Sequence, residues 1–484
     1  MRLVARILAT VFVLTALVQG AAVAAEKEWT FMVFINADNN LDEYGVLDQE
    51  EMAVVGSSDR LDIVTLIDRY SGPATMNHIE NGRVVKLSDE GELDMGDWRE
   101  LVRFAKTAMA RFPAKHYALV VWNHGSGWKL KGAALKGISY DDSSKNHITT
   151  GQLGDALGEI SSAAGRKIDL FCMDACLMQM FEVAWAVRDG CDYIVASEET
   201  VPGDGYPYTD VLRALRLGMA PADFGAAIVK VFRDCYSKDI PQESRWKIAA
   251  RGDLRDIRRT TMSLLETARL PELRERLDAF CRAIMAGNHV TALNVAVRKA
   301  EHFSTYDNVD LKDLLDILKS NVKDAAVLDA IARLSESFRR TILANGTTGT
   351  NDDGQVPGGD EFGTLAPTGR WPTPVYANGL AIYFPEKASK YAPAYEDLAF
   401  AADTQWNEML LDHFRKSTAA RVAADLDCGS LDALREWLGQ AGPMTREISR
   451  AVIETVGFRL HTEGGLPDSM NGEVRSLLDA LRSR

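Results

Sequence analysis

The sequence predicts an α/β protein: a mostly parallel sheet flanked by helices, with an additional, mainly helical C-terminal part. Three observations carry this expectation. Short apolar runs at 29–36, 61–67, 117–122, 168–173 and 193–197 alternate with helical patterns, as successive βαβ units do. The runs at 117–122 and 168–173 lead directly into reactive side chains, His124 and Cys176, and open α/β sheets place their chemistry at strand ends. From about 209 to 344 the periodicity is helical, with one strand expected at 246–250.

Taken in order, the chain begins with Arg2 and Arg6, an apolar run over 7–18 and a small-residue stretch containing Ala22-Val23-Ala24. That is the pattern of a secretory signal peptide, expected to end at residue 25. The run is short for a spanning helix, so no membrane span is expected after its removal. The strand at 29–36 ends in Asn36-Ala37-Asp38-Asn39-Asn40-Leu41-Asp42, a polar turn suited to capping a helix that runs to about residue 55. The turn lacks the glycine and distal glutamate of an EF-hand loop. Residues 75–87 alternate around Asn81-Gly82, a strong hairpin signal. Helices are expected over 97–111, 149–163 and 176–188. Residues 129–147, rich in Lys, Gly, Asp and Ser, form an exposed loop with room for a short hairpin. The stretch 345–378 is rich in Gly, Thr, Asp and Pro and reads as a long loop. One more apolar strand is expected at 379–385, and helix follows from about 391 with a polar break near Cys428. The expected domains are a signal peptide at 1–25, a main domain at 26–415 and a helical extension at 416–484. The main domain has a core at 29–210 plus the strand 379–385, a helical insertion at 209–344 and the loop 345–378.

With 484 residues, 46% of them hydrophobic and 26% charged, the chain has a globular composition. A formal charge of −14 argues against nucleic acid as a partner. Six cysteines, at 172, 176, 191, 235, 281 and 428, are too sparse for a disulfide scaffold. If Cys176 is a free nucleophile, five remain, which cannot all pair.

The two strand-end residues define the chemistry. A buried structural cysteine is the ordinary reading of Cys176 alone. His124, 52 positions earlier and at the end of a similar strand, changes that reading. A cysteine hydrolase needs a thiolate, a group that manages protons at the leaving amine, and donors for the oxyanion. Cys176 at the expected helix N-terminus has the position of the first, and His124 supplies the second. The backbone N–H groups of Gly125 and Cys176 are candidates for the third. Rival chemistries lack their motifs. There is no Gly-x-Ser-x-Gly to match the His124-Gly125 pair, no His-Glu-x-x-His, no Cys-x-x-Cys pair for zinc, and no Gly-Lys-Ser/Thr in the glycine-rich stretch 354–363. Asp174 has two readings, a helix cap or part of a pocket for a cationic side chain. Asp204 likewise belongs to an Asp-Gly turn or to that pocket.

Several stretches together resemble the clostripain family of cysteine peptidases. They are the strand from Trp29 with its Ala37-Asp38-Asn39-Asn40-Leu41, then Trp122-Asn123-His124-Gly125, Met173-Asp174-Ala175-Cys176, the loop 197–208 and the strand 379–385. The resemblance covers 29–210 and returns at 379–410. It implies a caspase-like fold, with Cys176 as nucleophile, His124 as its proton-handling partner and a backbone oxyanion hole at Gly125 and Cys176. It also implies Asp174 and Asp204 in the S1 pocket, and hence peptide or protein substrates with Arg or Lys at P1. Activation by self-cleavage is expected between the histidine and cysteine strands, with Lys145 the leading candidate and Lys129, Lys131 and Lys136 beside it. Tyr206 stands where the family pattern would have tryptophan, at the expected pocket rim. No cofactor is required for such chemistry; calcium, which helps some members, is a further expectation with no site assigned. The expected protein is a secreted or periplasmic monomer. A catalytically silent binding or adhesion protein on the same fold is the alternative.

Overall fold

A computed structural model describes residues 26–128, 137–237, 260–348 and 377–427, with 431–432, 456, 472–477 and 479. The expected signal peptide, the strand at 246–250, Lys129, Lys131, Lys136 and Cys428 lie outside the described residues. The strands in chain order are β1 (Lys27–Ala37), β2 (Leu61–Arg69), β3 (Gly72–Glu80), β4 (Arg83–Gly91), β5 (Ala114–Trp122), β6 (Gly137–Asp141) and β7 (Asn146–Thr149). They continue as β8 (Ile168–Asp174), β9 (Cys191–Ala196), β10 (Thr261–Glu266), β11 (Asn308–Asp310), β12 (Ile342–Thr347) and β13 (Ala381–Tyr383).

Nine of them form one sheet in the order β12-β10-β9-β8-β5-β1-β2-β3-β4. The centre, β2-β1-β5-β8-β9, is parallel. Antiparallel pairs close both edges, β3-β4 on one side and β10-β12 on the other. The central strands are covered on both faces, which is why β1 and β8 read as continuous apolar runs rather than alternating ones. Met32 and Phe34 of β1 enter one core, and Phe31, Val33 and Ile35 enter the other. Helices Trp98–Arg111, Thr150–Ala164 and Phe181–Val187 pack on the first face; Asp42–Val55, Tyr208–Ala214 and Pro221–Tyr236 pack on the second.

Local signals set several boundaries. Asp97 accepts from the Arg99 N–H, and Thr149 and Gln152 form a capping box at the start of the next helix. Gly82 takes φ 76° in the β3–β4 turn, where a side chain would be strained.

The insertion departs from expectation. Among the described residues, 209–344 holds β10, β11 and the start of β12 besides its helices. β10 pairs with β9 and so extends the main sheet. The strand expected at 379–385 shortens to Ala381–Tyr383 and pairs with β11 instead of the main sheet. The helices Leu270–Ala286, Val290–Lys299, Leu311–Asn321 and Ala325–Thr341 bury their apolar stripes in the first core, together with Trp406, Met409, Leu410 and Phe414. The helix Trp406–Asp427 runs without a break through positions 415 and 416.

The helix expected over 176–188 is corrected to Phe181–Val187. Residues 175–180 instead lend their backbone groups to distant segments. Leu177 N–H donates to the Glu199 carbonyl at 3.1 Å, Gln179 N–H to the Ser197 carbonyl at 2.8 Å, and the Gln179 carbonyl accepts from Ala381 N–H at 3.0 Å. Leu177 takes φ 63° to do so, a left-handed conformation that persists in a non-glycine residue only where neighbours enforce it. Cys176 is therefore not at a helix N-terminus, and no helix dipole supports its thiolate.

Candidate active site

β5 and β8 pair in register, with Trp122 opposite Asp174. Beyond those residues the chains stay together, because Asn123 N–H donates to the Asp174 carbonyl at 3.2 Å. His124 and Cys176 thus leave the sheet at the same edge from neighbouring strands. Gly125 lies against the cysteine loop: a Cβ there would sit 2.5 Å from the Cys176 carbonyl oxygen and 3.0 Å from the Ala175 Cβ. Only a glycine lets the two chains approach this closely.

Cys176 is half-buried. Its sulfur accepts from the Val201 N–H at 3.3 Å. The thiol in turn donates to the Val201 carbonyl at 3.7 Å. The loop that brings Val201 is fastened from behind. Thr261 of β10 accepts from the Glu198 and Glu199 N–H groups at 2.9 and 3.1 Å, and the Glu199 carboxylate accepts from the Ser304 N–H at 3.0 Å. The insertion thereby reaches the loop against Cys176, which its helical sequence pattern does not reveal.

His124 Nε2 lies 2.7 Å from Asn40 Oδ1. The hairpin β6–β7 packs against the same stretch. Ser139 N–H donates to the His124 carbonyl at 3.3 Å, and Ser126 N–H donates to the Gly137 carbonyl at 3.0 Å.

Asp174 is buried at the end of β8 and caps no helix. Its Oδ2 accepts from the Tyr206 N–H at 2.9 Å and the Tyr208 hydroxyl at 3.0 Å. Its Oδ1 is buried with no hydrogen-bond partner among the described residues. Burial pushes this carboxyl up to about 7, against the lowering effect of those two donors. Asp204 is half-buried in the turn closed by Gly205 N–H and the Pro202 carbonyl at 2.8 Å. The next residue, Gly205, presses on Asp174: a Cβ there would lie 2.7 Å from Oδ2.

The sequence reading missed a third carboxylate. Asp48, on the buried face of helix Asp42–Val55, accepts from Trp122 Nε1 at 2.7 Å. Burial pushes its carboxyl well above the usual range, and the charges of Asp174, Glu51 and Asp204 add to that. The signal was present, since Asp48 shares its helix face with Gly45, Gln49 and Met52. Tyr206 corrects an expectation. It is no rim residue: its ring is buried against Tyr208 and Phe232, with the hydroxyl 3.4 Å from the Met173 and Val195 carbonyls. A tyrosine at a sheet end finds acceptors for its hydroxyl there.

Lys145 is exposed in the β6–β7 turn with φ 54°. The turn is anchored by Asp38, which accepts from Ser143 N–H and hydroxyl at 3.2 and 3.1 Å. Among the described residues, no three His, Cys, Asp or Glu side chains are placed to hold a metal ion. Cys172, Cys176, Cys191, Cys235 and Cys281 are all free thiols.

A mostly parallel sheet with a cysteine and a histidine beyond adjacent strand ends is the caspase-like arrangement. A model of the clostripain family, peptidase family C11, matches residues 33–437, and the chain belongs to that family. Clostripain of Hathewaya histolytica is 30% identical over 227 residues, which cover 39% of this chain and 42% of that protein. The match thus spans less than half of the relative's length. A secreted C11 cysteine protease from Bacteroides thetaiotaomicron, solved with an irreversible peptide inhibitor, superposes with a TM-score of 0.55 at 17% identity, over 78% of this chain and 99% of its own. An inactive zymogen C11 protease from Parabacteroides distasonis gives a TM-score of 0.55 at 18% identity, over 78% of this chain and 99% of its own. At these identities the two structures speak for the fold.

Proposed function

We propose that the chain is a cysteine endopeptidase that cleaves after Arg or Lys, with Cys176 as nucleophile and His124 as proton carrier. The observation that carries this reading is the placement of thiol and imidazole on two chains joined by the Asn123–Asp174 backbone bond. The Cys176 thiolate attacks the scissile carbonyl carbon, and the carbonyl electrons move to oxygen. The Gly125 and Cys176 N–H groups are the proposed oxyanion donors. The His124 imidazolium gives its proton to the amine nitrogen as the C–N bond breaks, leaving a thioester. His124 then takes a proton from water as the water oxygen attacks the thioester carbon, and the C–S bond breaks to return the thiolate. A basic P1 side chain enters beside Asp174 and Asp204, and the unpaired Asp174 Oδ1 meets its cationic group.

Residues 1–25 direct the chain out of the cytoplasm in this reading, and among the described residues no helix is long and apolar enough to cross a membrane. The working protein is a monomer that needs no cofactor for the chemistry. Self-cleavage at Lys145 requires the turn to open, because peptidase clefts bind extended chains and this residue is held at φ 54°.

The test is hydrolysis of fluorogenic peptides with Arg, Lys, Ala or Asp at P1, by wild type and Cys176→Ala, with and without calcium. Turnover restricted to Arg and Lys and absent from the variant is expected. Full activity in Cys176→Ala would sink the mechanism, and equal turnover of the Ala or Asp peptides would sink the specificity. Absence of all turnover from a chain already cut between His124 and Cys176 would favour a silent binding protein.

A further inference from the structure

The contact between His124 and Asn40 is built from both sides. Asn40 stands in the turn that follows β1. The preceding residue, Asn39, shapes that turn: its N–H donates to the Ala37 carbonyl at 2.8 Å, and its Oδ1 accepts from the Leu41 N–H at 2.8 Å. Asn39 Nδ2 donates to the Tyr140 carbonyl at 2.8 Å. That same carbonyl accepts from Nδ2 of Asn123, the residue before His124, at 3.2 Å, and Tyr140 N–H donates back to Asn123 Oδ1 at 2.6 Å. One peptide segment of β6 therefore clamps both the residue before Asn40 and the residue before His124. Asn39 is buried and does the building, whereas Asn40 is exposed and its amide oxygen meets the imidazole.

We propose that Asn40 is a positioning residue for His124. Its Oδ1 accepts from Nε2–H, fixes the ring and its tautomer, and leaves Nδ1 as the nitrogen that exchanges protons with substrate and water. This rests on the Cys176/His124 mechanism proposed above. The chemistry of the two groups favours it. An amide oxygen only accepts, and Nε2 carries a hydrogen both in this neutral tautomer and in the imidazolium. The bond therefore persists through the cycle without rearrangement. In acylation the Nδ1 proton passes to the leaving amine; in deacylation Nδ1 takes one from water; the Nε2 proton stays in place throughout. A neutral amide also orients the ring without holding its positive charge as tightly as a carboxylate would, so the imidazolium remains a ready acid.

The experiment measures kcat and KM on Arg-P1 and Lys-P1 peptides for wild type, Asn40→Ala and Asn40→Asp, with His124→Ala and Cys176→Ala alongside. Asn40→Ala is expected to lower kcat by about 10- to 100-fold, less than the roughly 10²–10⁴ ascribed to proton transfer itself, with KM within about twofold. Asn40→Asp keeps an acceptor oxygen and should retain most of kcat. Its carboxylate should move the limb of the pH profile that reports the imidazolium to higher pH. A merely structural role would give neither the rescue nor the shift. If Asn40→Ala keeps kcat while His124→Ala and Cys176→Ala are inactive, the positioning role falls and the dyad stands. If either dyad variant keeps full turnover, the dyad itself falls. ¹⁵N spectra of histidine-labelled Cys176→Ala, assigned against the same chain with His124→Ala added, test the tautomer without any activity. Protonation at Nε2 that is lost on adding Asn40→Ala supports the proposal, and protonation at Nδ1 in the neutral ring overturns it.

Discussion

Asn123 joins the two halves of the site: its N–H donates to the Asp174 carbonyl at 3.2 Å, and its side chain donates to the carbonyls of Asn36 and Tyr140. Three segments distant in sequence, β1, β6 and β8, thus meet at one buried amide. Asn123→Ala removes the side-chain bonds to the Asn36 carbonyl and to both backbone groups of Tyr140. Such losses cost about 1–3 kcal/mol each before relaxation. The variant should unfold at clearly lower denaturant and lose kcat together, because His124 is the next residue. An unchanged unfolding midpoint would show that water replaces the amide.

Gly125→Ala places a methyl 2.5 Å from the Cys176 carbonyl oxygen. That oxygen belongs to backbone and cannot swing away as a side chain tip would. The cysteine loop must shift instead, and reacting groups displaced by about 1 Å can lose on the order of 10²-fold in rate. The expected result is a kcat loss of that order with a modest change in KM. Wild-type kinetics in this variant would mean that the loop has freedom the close approach does not suggest.

The parallel centre of the sheet was legible because strands buried on both faces are apolar along most of their length, as β1, β5 and β8 are. The edges were not. β12, Ile-Leu-Ala-Asn-Gly-Thr, is apolar only over its first three residues, and β11, in the separate sheet with β13, has three residues in all, so each is defined by its partner rather than by its own pattern. The stretch from Cys176 failed for a related reason. Its Leu and Met spacing reads as helix, but its backbone is claimed by Glu199, Ser197 and Ala381. His124, Cys176, Asp174 and Asp204 were visible as reactive types at strand ends and turns. Asn40 was hidden, since an Asn-Asn doublet before a helix is also an ordinary cap.

In the proposed pocket, Asp174 would link specificity to pH. Burial pushes its carboxyl up to about 7 in the substrate-free protein, so it is largely protonated below that point. A cationic P1 group needs the ionised form. kcat/KM for Arg peptides should therefore rise with pH up to about 7 and then level. Stability runs the other way. The folded state holds this proton more tightly than the unfolded state, whose aspartates titrate near 3.9. The raised carboxyl thus weakens the fold progressively as pH climbs from about 4 to about 7. Asp174→Asn keeps an acceptor for Tyr206 and Tyr208 and removes the buried charge. It should lose at least about 10²-fold in kcat/KM on Arg peptides, of the order expected for an unpaired buried cation, and melt higher than wild type at pH 8 but not at pH 5. Retained Arg turnover would move the pocket away from Asp174.

Glu198 and Asp310 are a second buried acidic pair, near enough for their charges to oppose each other. Glu198 accepts from Gly379 N–H at 2.9 Å, and Asp310 accepts from Asn378 Nδ2 at 2.9 Å and Asp313 N–H at 2.7 Å. The pair ties β11 and the segment before β13 to the loop that follows β9. Burial raises both carboxyls, Asp310 to about 6 and Glu198 further, with the charges of Asp310 and Glu301 adding to the effect on Glu198. At low pH burial keeps both carboxyls neutral, and loss of their protons leaves two buried charges opposing each other. Both shifts are upward, so the folded state again holds protons that the unfolded state gives up. The contribution to stability is greatest below about pH 4 and falls as pH rises through 6 and above. Glu198→Gln keeps an oxygen for Gly379 and offers an amide N–H to Asp310 at every pH. Its unfolding midpoint should match wild type near pH 5 and exceed it at pH 8. Because Glu199, the next residue, accepts the Leu177 N–H beside Cys176, the variant should also resist proteolysis of this loop better at pH 8. Parallel pH curves for the two proteins would place the proton elsewhere.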